Sequence, residues 1–193
     1  MREVLKKLGA SLRAVGFRWS GQYFHKKEGD FIFVVNFQGS RWGDVFYVNL
    51  GAQPVFIPNE VGVGHDPKRL KEYQCIHRKR VGDQWRWKMS DTMFGALEAE
   101  LLAALKGFFV HTQSLWKSIA VASPETLIRE FSQWTTDARA ALRLARGSLA
   151  LGYPDKASAL ATLGLNLAGE RASVLRLELK DVLDVASAKI GRN

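Results

Sequence analysis

The segment Cys75-Ile76-His77-Arg78-Lys79-Arg80-Val81 holds the side chains of this sequence best equipped for chemistry. On an extended strand Cys75 and His77 share a face, which places a thiol beside a base as nucleophilic catalysis requires. The spacing argues against that use. Residues two apart on a strand lie about 6.6 Å apart, whereas a nucleophile and its base need about 3 Å. A metal site would need two further ligands, and His25, His65 and His111 have no supporting spacing. The pattern reads as a small buried thiol beside a half-exposed imidazole. Gly62-Val63-Gly64 is a lone Gly-x-Gly, with neither the third glycine of a dinucleotide fingerprint nor the lysine of a phosphate loop. Asp44, Glu60, Asp66 and Glu72 are scattered and form no catalytic carboxylate pair. Neither a Gly-x-Ser-x-Gly elbow nor a His-Glu-x-x-His helix occurs. No catalytic residue, metal or cofactor is therefore assigned, and the balance leans away from an enzyme.

Binding chemistry is better represented. Arg78 and Arg80 share the face opposite Cys75 and His77, and two guanidiniums in a row clamp phosphate or carboxylate oxygens with paired hydrogen bonds. Trp85 and Trp87 follow with the same alternation, interleaved with Arg86 and Lys88. Charge for a backbone and flat rings for bases are what single-stranded nucleic acid needs. Charged side chains also guard an edge strand against sheet-to-sheet pairing, and tryptophans also fill cores. The formal net charge is +9. Residues 1–90 carry 16 Lys plus Arg against 8 Asp plus Glu, and residues 91–193 carry 12 against 11. The basic character thus belongs to the first half and favours anionic partners: an acidic protein surface, a small anionic ligand or nucleic acid.

The element that must position these groups is a β-hairpin from Asp30 to Gly51. In its first arm Phe31, Phe33, Val35 and Phe37 share one face, and Ile32, Val34, Asn36 and Gln38 the other. In the second arm Phe46, Val48 and Leu50 oppose Val45, Tyr47 and Asn49. Only one pairing parity gathers the phenylalanines with Phe46, Val48 and Leu50, so burial sets the register. The opposite face then presents Asn36, Gln38, Tyr47 and Asn49 beside Val34 and Val45. The connection Gly39-Ser40-Arg41-Trp42-Gly43-Asp44 has turn chemistry, with Arg41 and Trp42 at its tip.

Around the hairpin, Val4, Leu8, Leu12 and Val15 form one stripe of an amphipathic helix ended by Gly16. Phe17 to His25 reads as a strand. Gly51 to Lys68 reads as a long Gly- and Pro-rich loop, and Tyr73 to Val81 as another strand, continued from Trp85 to Met89 after a turn at Gly82-Asp83. Asp91 or Thr92 caps a helix striped by Phe94, Leu97, Leu101, Leu105 and Phe108. Ser123-Pro124-Glu125 starts another, and the remainder is helical, divided at Gly152-Tyr153-Pro154-Asp155. Leu160, Leu163 and Leu167 form one late stripe, and Leu175, Leu179, Val182 and Ala186 another. Strands first and helices after predict an α+β class: an N-terminal helix and antiparallel β-sheet packed with helices over 1–120, then a helical C-terminal segment over 121–193. One cysteine precludes an internal disulfide, and neither a signal peptide nor a transmembrane span is read, so a cytoplasmic, non-membrane protein is expected.

Several motifs combine into a resemblance. They are the helix ending in Gly16-Phe17, Asn36-Phe37-Gln38 leading to Ser40, the strand Tyr47-Val48-Asn49-Leu50-Gly51, and Arg78-x-Arg80-Val81-Gly82 followed by tryptophan. Over about the first 120 residues the chain resembles a bacterial family catalogued as domain of unknown function 4304. In that family's pattern the histidine sits one place nearer the cysteine than His77 does. The resemblance implies an α+β domain and supplies no activity. The expected function is a non-enzymatic binding module whose surface is built from Asn36, Gln38, Arg41, Trp42, Tyr47, Asn49, Arg78, Arg80, Trp85 and Trp87. The alternatives are nucleic-acid binding by the same face, and an enzyme acting on an anionic metabolite. Oligomeric state is left open.

Overall fold

Alternating phenylalanines organise the first half of the chain. A computed structural model describes residues 2–41, 43–58, 66 and 68–191. A helix α1 (Arg2–Ala14) leads into five strands: β1 (Arg18–Ser20), β2 (Tyr23–Glu28), β3 (Phe31–Gly39), β4 (Val45–Pro54) and β5 (His77–Arg86). They form one antiparallel sheet in the order β1-β2-β3-β4-β5. A long helix α2 (Asp91–Lys117) follows, then α3 (Pro124–Phe131), α4 (Asp137–Ala150), α5 (Pro154–Leu167) and α6 (Ser173–Ile190). The class is α+β, with an N-terminal helix, an antiparallel sheet and a helical C-terminal segment. Two compact units divide the chain, Met1–Thr112 and Gln113–Asn193.

The hairpin pairs with the register that its parity demands. Phe33 faces Ala52, Val35 faces Leu50 and Phe37 faces Val48. Paired residues share a face, so the phenylalanines gather on one side. There Leu8 and Leu12 of α1 and Leu97, Leu101, Leu105 and Phe108 of α2 are buried with them. The Phe109 ring of α2 stacks on Phe33 with centroids 3.7 Å apart. Gly9 brings α1 close: a Cβ there would sit 3.1 Å from the Phe24 ring. Each large apolar side chain buried in this layer contributes about 1.5–3 kcal/mol.

Five local expectations are corrected. Phe17 to His25 is not one strand: Gly21, at φ +63°, turns the chain between β1 and β2. Val15 lies beyond α1 and is exposed. The strand expected to end at Gly51 continues to Pro54, because Gly51, Ala52, Gln53 and Pro54 pair with β3 or β5 and are all buried. Tyr73 is not on a strand. Glu72–Gln74 is a 3-10 turn, and β5 starts at His77 and runs without a break through Gly82. Gly82 (φ +62°) lies in a bulge where Gly82, Asp83 and Gln84 stand against Tyr47 alone. Ser90, rather than Asp91 or Thr92, caps α2: its hydroxyl accepts from the Met93 N–H at 3.2 Å.

In the second unit the helices meet through small side chains. Ala138, Ala140, Ala141 and Ala145 of α4 are buried, as are Ala157, Ala161 and Gly164 of α5. The stripe of Leu175, Leu179, Val182 and Ala186 on α6 is buried as expected, whereas Leu167 is exposed. Ser123 caps α3 as its sequence predicts, accepting from the Thr126 N–H at 3.2 Å. At Gly147 the ring of Trp116 lies where a side chain would start: a Cβ would fall 2.1 Å from the ring. Gly147→Ala is therefore expected to destabilise the protein by about 1–3 kcal/mol through overpacking. Gly95→Ala on α2, where a Cβ meets nothing within 4 Å, is expected to raise stability by about 0.5–1 kcal/mol. Denaturant midpoints of the full chain measure both.

Candidate functional site

The second face of the sheet carries Asn36, Gln38, Tyr47, Asn49, Arg78 and Arg80 of the candidate binding residues, and it is divided in two. One end is covered. Ile32 and Val34 are buried with Leu70 and Cys75, and Tyr23 and Val55 pack against this cluster. The segment Leu70–Ile76 therefore straps across the sheet. Gly51 lets it approach: a Cβ there would sit 2.8 Å from Cys75 Sγ and 3.0 Å from Glu72 Cα. Polar side chains fasten the strap. His25 Nε2 donates to the Leu70 carbonyl at 2.8 Å. The buried Gln53 accepts from the Ile76 N–H at 3.2 Å and donates to the Pro54 and Ile57 carbonyls at 3.1 Å each. Lys71 Nζ lies 3.9 Å from the Tyr23 ring centre.

The strap settles the chemistry of Cys75. Its thiol is fully buried, donates to the Lys71 carbonyl at 3.5 Å, and is pushed well above its ordinary pKa by burial and then by the Glu72 carboxylate. A thiol held protonated is no nucleophile. His77 is not half-exposed as expected but fully buried. It pairs with Ala52 and so sits on the phenylalanine face. Among the described residues, no group of three or more His, Cys, Asp or Glu is arranged to hold a metal ion. Nor is any helix there long and apolar enough to cross a membrane.

At the uncovered end, a directional hydrogen-bond relay crosses three strands. Asn36 pairs with Asn49, and Asn49 with Arg80. Asn36 Nδ2 donates to the Gln22 carbonyl at 3.5 Å. Asn49 Nδ2 donates to Asn36 Oδ1 at 3.4 Å and to Gln38 Oε1 at 3.0 Å. Asn49 Oδ1 accepts from Arg80 Nε at 3.1 Å. Asn36 and Asn49 are buried, so the mixed face is less open than its composition suggests, while Gln38 and Arg80 remain exposed. The Arg80 guanidinium lies 4.4 Å from the Tyr47 ring centre. Nε bonding and the ring orient this fork, and among the described residues Nη1 and Nη2 have no hydrogen-bond partner. Tyr47 is available because the bulge in β5 leaves it between Phe46 and Val48 with no single partner opposite.

The other expected site residues separate into distinct places. Arg78 is on this face, but its Nη2 lies 4.0 Å from Oε1 of Glu72, which is buried on the strap. Arg78 thus answers an internal carboxylate, whereas Arg80 does not. Trp85 pairs with Phe46 and Trp87 stacks on Phe46 with centroids 4.1 Å apart, so both half-buried rings lie on the phenylalanine face, opposite Arg78 and Arg80. Their odd spacing from Arg80 requires this. Arg41 is exposed in the hairpin turn, and Trp42 lies outside the described residues, as does Gly62-Val63-Gly64. Arg86, noted between the tryptophans but not among the expected site residues, pairs with Val45 and joins the uncovered face. Glu72 and Gln53 were likewise missed, since nothing in their spacing marks a residue that will be buried by a strap.

His25 supplies a pH signature. Burial lowers its pKa, outweighing the opposing Leu70 carbonyl bond. The folded state then binds fewer protons than the unfolded state below the ordinary histidine value of about 6.5. Stability is full above that value and falls as pH drops toward the folded pKa. Urea midpoints at pH 7.5 and 5.5 should differ less in His25→Gln than in the wild type.

The chain matches the profile of the family described as Domain of unknown function (DUF4304) over residues 8–114, so the match covers the helix α1 core, the whole sheet and most of α2, and leaves α3 to α6 outside. No curated protein and no solved structure matches the chain. With its Gly16-Phe17 junction, its Tyr47–Gly51 strand and its Arg78–Gly82 segment all inside the matched range, the chain belongs to the DUF4304 family.

Proposed function

We propose that the protein is a non-enzymatic binding module that docks an acidic protein surface on the uncovered end of the sheet. The observation that carries this reading is the oriented guanidinium of Arg80, held by Asn49 and Tyr47 with both Nη nitrogens left for a partner. An arginine already ordered loses less conformational freedom on binding a carboxylate, and two parallel N–H···O bonds add direction to charge. Arg78 and Arg86 flank it on the same face, with Gln38 and Tyr47 as polar and aromatic contacts and Arg41 at the hairpin tip. Arg and Tyr are frequent energetic anchors of protein interfaces. A buried, protonated Cys75 and a buried His77 lend no support to catalysis. Nucleic acid is the weaker reading, since Trp85 and Trp87 face away and only Tyr47 offers a ring beside the arginines.

Affinity capture from lysate tests the reading. Protein captured by the wild type in the presence of nuclease should fall by more than about tenfold with Arg80→Gln. It should also fall with Arg80→Lys, which keeps the charge and loses the fork. Capture that needs nucleic acid, or that Arg80→Lys sustains fully, contradicts it. Arg78→Glu is a poorer probe, because it sets a second negative charge against the buried Glu72. It is expected to lower the thermal midpoint, whereas Lys79→Glu on the neighbouring exposed position should change stability by less than about 0.5 kcal/mol.

A further inference from the structure

Strand order makes β1 and β5 the two edges of the sheet, and no further strand lies beyond either among the described residues. β1 is 3 residues long, whereas β5 runs for 10. Hydrogen bonds at the ends of the hairpin fix which way each backbone group of β5 turns. The Ser40 N–H donates to the Val45 carbonyl at 2.9 Å and the Val55 N–H to the Asp30 carbonyl at 2.8 Å, both in register with the β3–β4 pairs. Directly opposed residues of an antiparallel pair alternate between bonded and unbonded. The odd-numbered residues of β4 therefore bond to β3, and Val48, Leu50 and Ala52 turn toward β5, where their partners are Val81, Lys79 and His77. Arg78 and Arg80 alternate with these, so their N–H and C=O groups point out of the sheet. Their side chains stand on the face of Asn49, because Arg78 pairs with Gly51 and Arg80 with Asn49. The same two residues thus offer main-chain donors and acceptors along the edge and guanidiniums above it.

An unpaired edge is a template for another strand, and its charges select which strand is admitted. Arg78, Lys79 and Arg80 are consecutive and exposed. A second copy of this edge would set cation against cation, and like charges directly opposite each other are destabilising. A strand bearing carboxylates meets no such penalty. Asp83, exposed in the bulge beyond Gly82, ends the basic stretch.

We infer that an extended acidic segment of the partner protein adds to β5 as a further antiparallel strand along His77–Val81. The inference rests on the reading of Arg80 as the docking residue, and adds the conformation and register of what docks. Antiparallel addition continues the pairing of the whole sheet. A residue opposite Arg80 exchanges both main-chain hydrogen bonds with it and puts its side chain on the same face. A carboxylate there lies beside the guanidinium that Asn49 and Tyr47 orient. The residue two places along stands opposite Arg78, which already has Glu72 at 4.0 Å. The recognised pattern is acid-x-acid, with the middle side chain on the other face beside Lys79.

The experiment is an NMR titration of the nitrogen-15-labelled full chain at low salt with the capped peptide Thr-Glu-Val-Glu-Thr. In the free protein the Lys79 amide should be protected from hydrogen exchange and the Arg78 and Arg80 amides should not be. Saturating peptide should slow exchange at Arg78 and Arg80 at least about tenfold. N-methylation of the two glutamates removes the inward donors and should weaken binding at least about tenfold, whereas N-methylation of the valine, whose N–H faces outward, should not. Arg80→Gln should weaken the parent peptide, with circular dichroism melts confirming that the variant folds. No saturable shift at millimolar peptide overturns the inference. Binding that tolerates methylated glutamates and leaves the Arg78 and Arg80 amides unprotected overturns strand addition, while its loss in Arg80→Gln would still uphold the docking residue. Equal binding of Thr-Lys-Val-Lys-Thr overturns the selection for acid.

Discussion

The approach of the strap to Gly51 is the constraint on which the layout of the sheet depends. A sheet with one greasy and one mixed face ordinarily leaves the mixed face in water. Here Ile32 and Val34 on that face are as apolar as the phenylalanines behind them, and they need a cover. Leu70–Ile76 supplies it, and it closes to van der Waals contact only because residue 51 has no side chain. The result is a strand β3 with seven consecutive buried residues, Phe31 to Phe37. Two polar side chains that the strap encloses are answered: Gln53 by the Ile76 N–H and two carbonyls, His25 by the Leu70 carbonyl. This is the arrangement that makes burial of polar groups tolerable.

What the strap leaves uncovered acquires its properties from what it covers. Asn36 and Asn49 are buried at the strap's margin, so their amides bond to each other and pass order outward to Gln38 and Arg80. A guanidinium fixed from behind by a buried amide and from the side by Tyr47 is a different object from a mobile surface arginine. Arg78, two residues earlier, faces the strap's Glu72 instead. Two arginines of one strand therefore differ: one lies against an internal carboxylate, and the other is oriented by a neutral amide and a ring.

Parity made much of this legible in the sequence. Phe31, Phe33, Val35 and Phe37 against Phe46, Val48 and Leu50 specify the hairpin, its register and its core face, because a slip of one residue would expose them all. The helical stripes of Leu8 and Leu12, and of Leu97, Leu101 and Leu105, likewise point to the layer that covers that face. The grouping of Asn36, Gln38, Tyr47, Asn49 and Arg80 follows from the same parity. The strap does not. Its residues carry no period, since they are buried by a tertiary contact rather than by an amphipathic element, and Gly51 reads as a loop glycine until the neighbour it admits is known. Trp85 and Trp87 show the converse: their odd spacing from Arg80 already placed them on the opposite face, and the glycine at position 82 disguised an unbroken strand as a turn.

The most direct test of the account is the alkylation rate of Cys75 under native conditions, in the wild type and in Gly51→Ala. With the strap seated, the thiol is buried and protonated, so the wild type should react only as fast as it unfolds. The added methyl group has no room and should lift the strap, so that Gly51→Ala reacts much faster while retaining its helical circular dichroism. Rapid alkylation of the native wild type, or identical protection in both proteins, would contradict the seated strap and the division of the sheet face that follows from it.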